Sequence, residues 1–265
     1  MKIAIIGTGN LGASIAKGII KEELSTSLVL TKKSLDSLEE FISIKGVQCT
    51  TDNSLAVRQS EVIIIAVQPA QMTQVLKALK SDLKPSQLVI STVTGYSIEQ
   101  MGSVLGSEQP LVRAMPNTAI AVGQSMTTLC SNHPAASKME HALNIFNCLG
   151  TTLAISEDKM QASTVVCASG IAFWMRLIRA NTQGAIQLGF DAKEAHEMAV
   201  QTCFGAASLL VASGNHPESE IDKVTTPKGC TIEGLNEMEF RGMSAAMIKG
   251  MKASFDKIND IAAVK

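Results

Sequence analysis

The sequence has 265 residues, 46% of them apolar, and a formal net charge of -1. That is enough apolar content for one large domain or two modest ones, and the balanced charge argues against nucleic acid and anionic membrane as partners. The six cysteines (Cys49, Cys130, Cys148, Cys167, Cys203, Cys230) form no C-x-x-C pair and have no histidine at ligand spacing, so they read as reduced small hydrophobes with no metal site. No run of 18 apolar residues occurs, and the short run after Lys2 is interrupted too soon for a signal peptide, so a soluble, cytoplasmic protein is expected.

In chain order, Lys2-Ile3-Ala4-Ile5-Ile6 has the pattern of a parallel strand buried on both faces. Gly7-Thr8-Gly9-Asn10-Leu11-Gly12 supplies G-x-G-x-x-G, and residues 13–21 carry apolar residues at helical spacing. Strand, glycine turn and helix in this order form a dinucleotide fingerprint: a tight turn, a close backbone approach to a pyrophosphate, and a helix N-terminus facing the anion. An ordinary glycine turn is the bland alternative.

Residues 27–31 read as a second strand, ending where such folds select their cofactor. In place of an acidic residue for the ribose hydroxyl of NAD stand Thr31-Lys32-Lys33-Ser34, two cations and two hydroxyls suited to a 2′-phosphate. NADPH is therefore expected over NADH; the alternative is a solvated lysine pair on a loop.

A weak strand at 48–51 leads to Asp52-Asn53-Ser54, which cap a helix to about Ser60. Residues 61–67 form a second clear buried strand, ending Ala66-Val67-Gln68-Pro69. A helix over 70–83, a strand over 88–93, a strand over 111–118 ending in Pro-Asn, and a strand over 125–130 complete an alternating pattern. The expected fold class is α/β, an N-terminal Rossmann-type doubly wound sheet.

From Glu157 the pattern turns helical. Residues 158–189 lack strand signals, Asp191-Ala-Lys-Glu194 resembles a capping box for a helix to Ser213, and Gly214 stops it. Residues 217–224 form a short segment, and 232–240 and 243–263 read as further helices. This predicts two domains, 1–156 and an all-α domain over 157–265. The second is too apolar to bury on the sheet alone, which predicts dimerisation through it; a self-contained bundle is the alternative.

Over its whole length the chain resembles pyrroline-5-carboxylate reductases. The likeness rests on residues 7–12, Ala66-Val67-Gln68-Pro69, Arg113-Ala114-Met115-Pro116-Asn117-Thr118, Gln201-Thr202 with Gly205-Ala206-Ala207, and residues 224–235. The last is the most specific: a Ser/Thr-Pro-Gly-Gly-x-Thr-Ile pattern is matched by Thr226-Pro227-Lys228-Gly229-Cys230-Thr231-Ile232 except at Lys228. A second departure is Ala168-Ser169-Gly170-Ile171 where the family has Gly-Ser-Gly-Pro.

The resemblance implies a Rossmann domain, a helical dimerisation domain with a homodimer or higher oligomer, and NAD(P)H-dependent reduction of a cyclic imine to L-proline. It places cofactor contacts on residues 7–12, 31–34, Asn53 and 66–69, and substrate contacts on Thr226, Gly229, Cys230 and Thr231, with Lys228 as an added cation. A helix starting near Gly229 would offer amides to the substrate carboxylate. The Thr231 hydroxyl would then polarise the ring nitrogen as the catalytic group, unless it is an ordinary helix-start threonine. A non-catalytic NADPH-binding paralogue or a reductase of another cyclic imine are the alternatives. A β-hydroxyacid dehydrogenase would need a helix lysine, and none lies between Lys159 and Lys193.

Overall fold

The computed structural model describes residues 1–263, with side chains through Asp260. The first elements alternate: strands β1 (Lys2–Ile6), β2 (Ser27–Thr31), β3 (Val47–Thr50), β4 (Val62–Ile65), β5 (Leu88–Ser91) and β6 (Leu111–Met115), with helices α1 (Asn10–Lys21), α2 (Glu39–Ile42), α3 (Asn53–Gln59), α4 (Met72–Leu79) and α5 (Ile98–Leu105) between them. Strand β7 (Ser125–Ser131), helix α6 (Met139–Asn147) and strand β8 (Gly150–Ala154) follow.

The strands form one sheet in the order β3-β2-β1-β4-β5-β6-β7-β8. All neighbouring pairs are parallel except β6 and β7, whose antiparallel pairing sets Arg113 opposite Cys130. Consecutive residues of the apolar runs serve opposite faces. Ile3 and Ile5 pack with Ile15, Ile19 and Phe146 on one side, and Ala4 and Ile6 pack with Val57, Leu76 and Met101 on the other. Both faces are thus covered by helices, which is why β1 and β4 read as apolar stretches and β5 and β6 are apolar but for Ser91 and Arg113.

Strand β8 was not anticipated: Gly-Thr-Thr-Leu-Ala is a half-exposed edge with no apolar run, and it is held by backbone pairing to β7. By packing, the chain divides into Met1–Ser169, joined by the stretch that begins at Phe255, and Gly170–Ser254. The reason is α7 (Met160–Ser163) and the π-helical turn Thr164–Ser169 after it: Met160 is fully buried, and Thr128 of β7 donates to or accepts from the Ser163 hydroxyl at 2.9 Å.

The second unit contains α8 (Gly170–Gln187), α9 (Ala192–Ser213), α10 (Pro217–Val224), α11 (Cys230–Phe240) and the start of α12 (Met243–Ala263). The Asp191 carboxylate caps α9 by accepting from the Lys193 and Glu194 amides, and Gly214 ends the helix in the left-handed region. α8 packs on α9, yet among residues 170–254 only Gly170, Thr182, Ala195 and Ala199 are buried. Large apolar side chains stand in the open instead, Trp174 at 59% and Phe240 at 84% exposed. The stretch Glu157–Gln187 is, by length and composition only, apolar enough to cross a membrane, and 17% of its most apolar window is buried.

Candidate functional site

The chain runs outward from β1 to β3 and returns to β4 on the other side of β1, so a crevice opens at the carboxyl ends of β1 and β4. A cavity of about 320 Å³ lies there, lined by Gly7, Gly9, Thr31, Lys32, Lys33, Asn53, Ala66, Val67 and Gln68, all expected, and by Ile6, Thr51, Gln71 and Val75.

Each glycine of the fingerprint has a distinct physical reason. Gly7 turns at φ +93°, and a Cβ there would lie 2.7 Å from Val67 Cγ1 and 2.9 Å from the Ala66 carbonyl oxygen. A Cβ on Gly12 would lie 2.6 Å from the Gly7 carbonyl oxygen, so only glycine lets α1 start this close to β1. Around Gly9, by contrast, a Cβ would meet nothing within 4 Å. That open backbone is what a pyrophosphate needs, and α1 begins there with no side-chain cap on its amides. The turn is fixed by Thr8 N–H donating to the Thr31 carbonyl at 2.9 Å.

Thr8 is 1% exposed, and its hydroxyl has no protein partner. The cradle at Gly9, the free helix amides and this buried hydroxyl together fit a dinucleotide phosphate. Asn10, Leu11, Gly12, Thr8, Ser34 and Pro69 do not line the cavity. Asn10, Leu11 and Gly12 form the first turn of α1, Pro69 starts a 3₁₀ turn, and Ser34 donates its hydroxyl to Asp36 Oδ2 at 2.8 Å. Gln71 carries a role that residue type alone does not reveal: its Oε1 accepts from Gln68 N–H at 3.2 Å and pins the chain after β4.

The second group of candidate residues forms a turn in the helical unit. Gly229 N–H donates to the Thr226 carbonyl at 2.9 Å across Pro227 and Lys228. Proline at the second position and a left-handed third residue, Lys228 at φ +57°, make this a type II pattern. Gly229 then caps α11 in extended conformation without a side-chain acceptor, leaving the amides that follow as free donors. A Cβ on Gly229 would collide with the Thr226 hydroxyl. Thr231 lies in the first turn of α11 and is half-buried, while Thr226, Lys228 and Cys230 are exposed.

Gln201 and Thr202 line a broad open hollow of about 820 Å³ on α9, with Phe190, His196, Met198 and Val200. Its lining mixes apolar Phe190, Met198 and Val200 with charged Lys193, Glu194 and Glu197, and a hollow this broad and open has the character of an interface rather than a ligand cleft. No group of three or more potential metal ligands occurs among the described residues.

A Rossmann-type sheet with this crevice, joined to a helical unit, is the architecture of nicotinamide-dinucleotide-dependent oxidoreductases. Residues 157–261 match the family described as pyrroline-5-carboxylate reductase dimerisation, and residues 2–95 match the NADP oxidoreductase, coenzyme F420-dependent family. Pyrroline-5-carboxylate reductase 2 of Dictyostelium discoideum is 41% identical over 96% of this chain and 91% of its own length. Pyrroline-5-carboxylate reductase 1 of the same organism is 45% identical over 96% of this chain, which spans about half of that longer protein. Among solved structures, a pyrroline-5-carboxylate reductase from Coxiella burnetii superposes with a TM-score of 0.93 at 28% identity, over 98% of this chain and 97% of that one. The chain belongs to the pyrroline-5-carboxylate reductase family.

Proposed function

We propose that the protein reduces 1-pyrroline-5-carboxylate to L-proline with NADPH, as a homodimer or higher oligomer in the cytoplasm. The observation that carries this reading is the 226–229 turn, which opens α11 with uncapped amides and a threonine in its first turn. Those amides and the helix dipole suit a substrate carboxylate, and the Thr231 hydroxyl is set to hydrogen-bond the ring nitrogen.

Bound NADPH supplies the hydride. The chain's part is to hold the carboxylate, keep the C=N bond polarised while the nitrogen gains its proton, and exclude water. A hydroxyl is too weak an acid to give up its proton outright near neutral pH, so Thr231 acts by hydrogen bonding, and the proton arrives with the substrate iminium or through water.

Lys32 and Lys33 in the crevice wall support NADPH over NADH, since two cations match the 2′-phosphate that NADH lacks. The match to the dimerisation family from residue 157 supports a functional boundary near residue 156, and the uncovered apolar side chains of the helical unit support a subunit interface there. The test is NADPH oxidation followed by absorbance with a panel of cyclic imines. Turnover of pyrroline-5-carboxylate is expected; faster turnover of another imine would shift the substrate, and cofactor binding without turnover of any would indicate a non-catalytic NADPH-binding protein.

A further inference from the structure

Arg113 on β6 is 4% exposed, with one edge of its guanidinium taken: Nη1 donates to Glu157 Oε1 at 2.8 Å, and the same oxygen accepts from Ile98 N–H at 2.8 Å. The other two nitrogens, Nε and Nη2, are buried and have no partner, and neither has the Oε1 of Gln161. Arg113 and Gln161 line one cavity of about 290 Å³, together with Gly95, Ser97, Glu99 and Gln100. It lies wholly within the sheet unit and shares no lining residue with the cofactor crevice.

Unpaired buried donors on a guanidinium are costly, and Nε with Nη2 form the planar fork that receives a carboxylate through two parallel bonds. A bare anion suits the cavity poorly, because Glu157 already neutralises Arg113 and Glu99 adds negative charge. A carboxylate carried beside a protonated amine resolves both requirements: its N–H groups would satisfy Gln161 Oε1 and its cation would balance Glu99. The volume is at the small end of ligand pockets and has room for a single small amino acid.

We propose that this cavity is a second small-molecule site, taking a zwitterionic α-amino or cyclic imino acid with its carboxylate on Arg113 Nε and Nη2 and its amine on Gln161 Oε1. The chemistry comes from the cavity alone; only the choice of L-proline as a probe rests on the proposed function.

Hydrogen exchange read peptide by peptide on the full-length protein tests it, using L-proline, L-alanine, L-prolinamide and inorganic phosphate. L-Proline or L-alanine at concentrations up to about 10 mM should slow exchange in residues 95–101 and 157–163, whereas L-prolinamide, without a carboxylate, and phosphate, without an amine, should not. Gln161→Leu should raise the concentration for half-protection about 10-fold with an unchanged melting temperature, and Arg113→Met should abolish protection if it folds. No slowing at 95–101, equal slowing by phosphate, or equal slowing in wild type and Gln161→Leu would overturn the site and leave a cavity filled by water. Slowing confined to 225–232 would overturn it while supporting substrate binding on the turn. Slowing at 95–101 without turnover of any imine would uphold the site and count against the proposed function.

Discussion

Lys228 occupies the position of the 226–229 turn whose left-handed backbone strains any side chain. At φ +57° a lysine pays about 1 kcal/mol relative to glycine, so Lys228→Gly should melt higher than Lys228→Ala, which keeps the Cβ. If the ammonium reaches the substrate carboxylate, both variants should raise KM for the imine about 3- to 30-fold, an effect shrinking with added salt. An unchanged KM at low ionic strength would mean that the lysine is merely tolerated. For Thr231→Ala, kcat should fall about 10- to 1000-fold with NADPH affinity nearly intact, because the lost hydrogen bond strengthens in the transition state; Thr231→Ser should retain much of the rate. Changing Lys32 and Lys33 to Glu together should weaken NADPH about 10- to 100-fold and NADH far less, and equal losses in titrations of the two cofactors would refute the phosphate assignment. The chemistry expected of such residues was legible because glycine, a lysine pair and a Thr-Pro turn carry it in their identity. Thr51, Gln71 and Val75 were not, since their place in the crevice wall depends on where β3 and the turn after β4 end. The unpaired, buried nitrogens of Arg113 were equally hidden: a single arginine within an apolar strand does not reveal which of its edges is paired.

The strands with unbroken apolar runs and the helices with caps were readable because burial on two faces and end-capping both leave a local pattern, as in β1, β4 and α9. β8 was not, since its pairing comes from β7 rather than from its own side chains, and neither was the π-helical turn at Thr164–Ser169, where the Asn117 side-chain amide donates to the Cys167 carbonyl at 3.1 Å. Two elements carry a measurable pH response. Burial pushes the thiol of Cys130 on β7 up to about 11, and the same cause raises Cys148, at the end of α6, to about 11. Both thiols bind their protons more tightly in the fold than in the unfolded chain, whose thiols titrate near 9. Stability is therefore undiminished below pH 9 and falls as pH rises from about 9 towards 11. Thermal melts across that range should show the decline, and replacing both cysteines by alanine should flatten it. Exposed Cys230 should react with a thiol reagent in the native state well before Cys130.

The helical unit has almost no interior of its own, and this governs the whole molecule. Light scattering at micromolar concentration should find a dimer or larger species, and a monomeric full-length chain would refute the interface. A fragment of residues 1–169 should be monomeric and bind NADPH. One ending at 156 should bind less well or unfold, because removing buried Met160 leaves a cavity costing about 2–5 kcal/mol. A wider consequence concerns supply. If α8 to α12 settle only against a second copy, a newly made chain carries a finished sheet and an unfinished arm until it meets its twin. At scarce expression the amount of working dimer then rises with the square of the number of chains, so halving synthesis removes more than half of the activity. Specific activity measured on serial dilution should show that threshold as a fall at low concentration, reversed on reconcentration, and a flat curve down to the detection limit would show that the arm matures unaided.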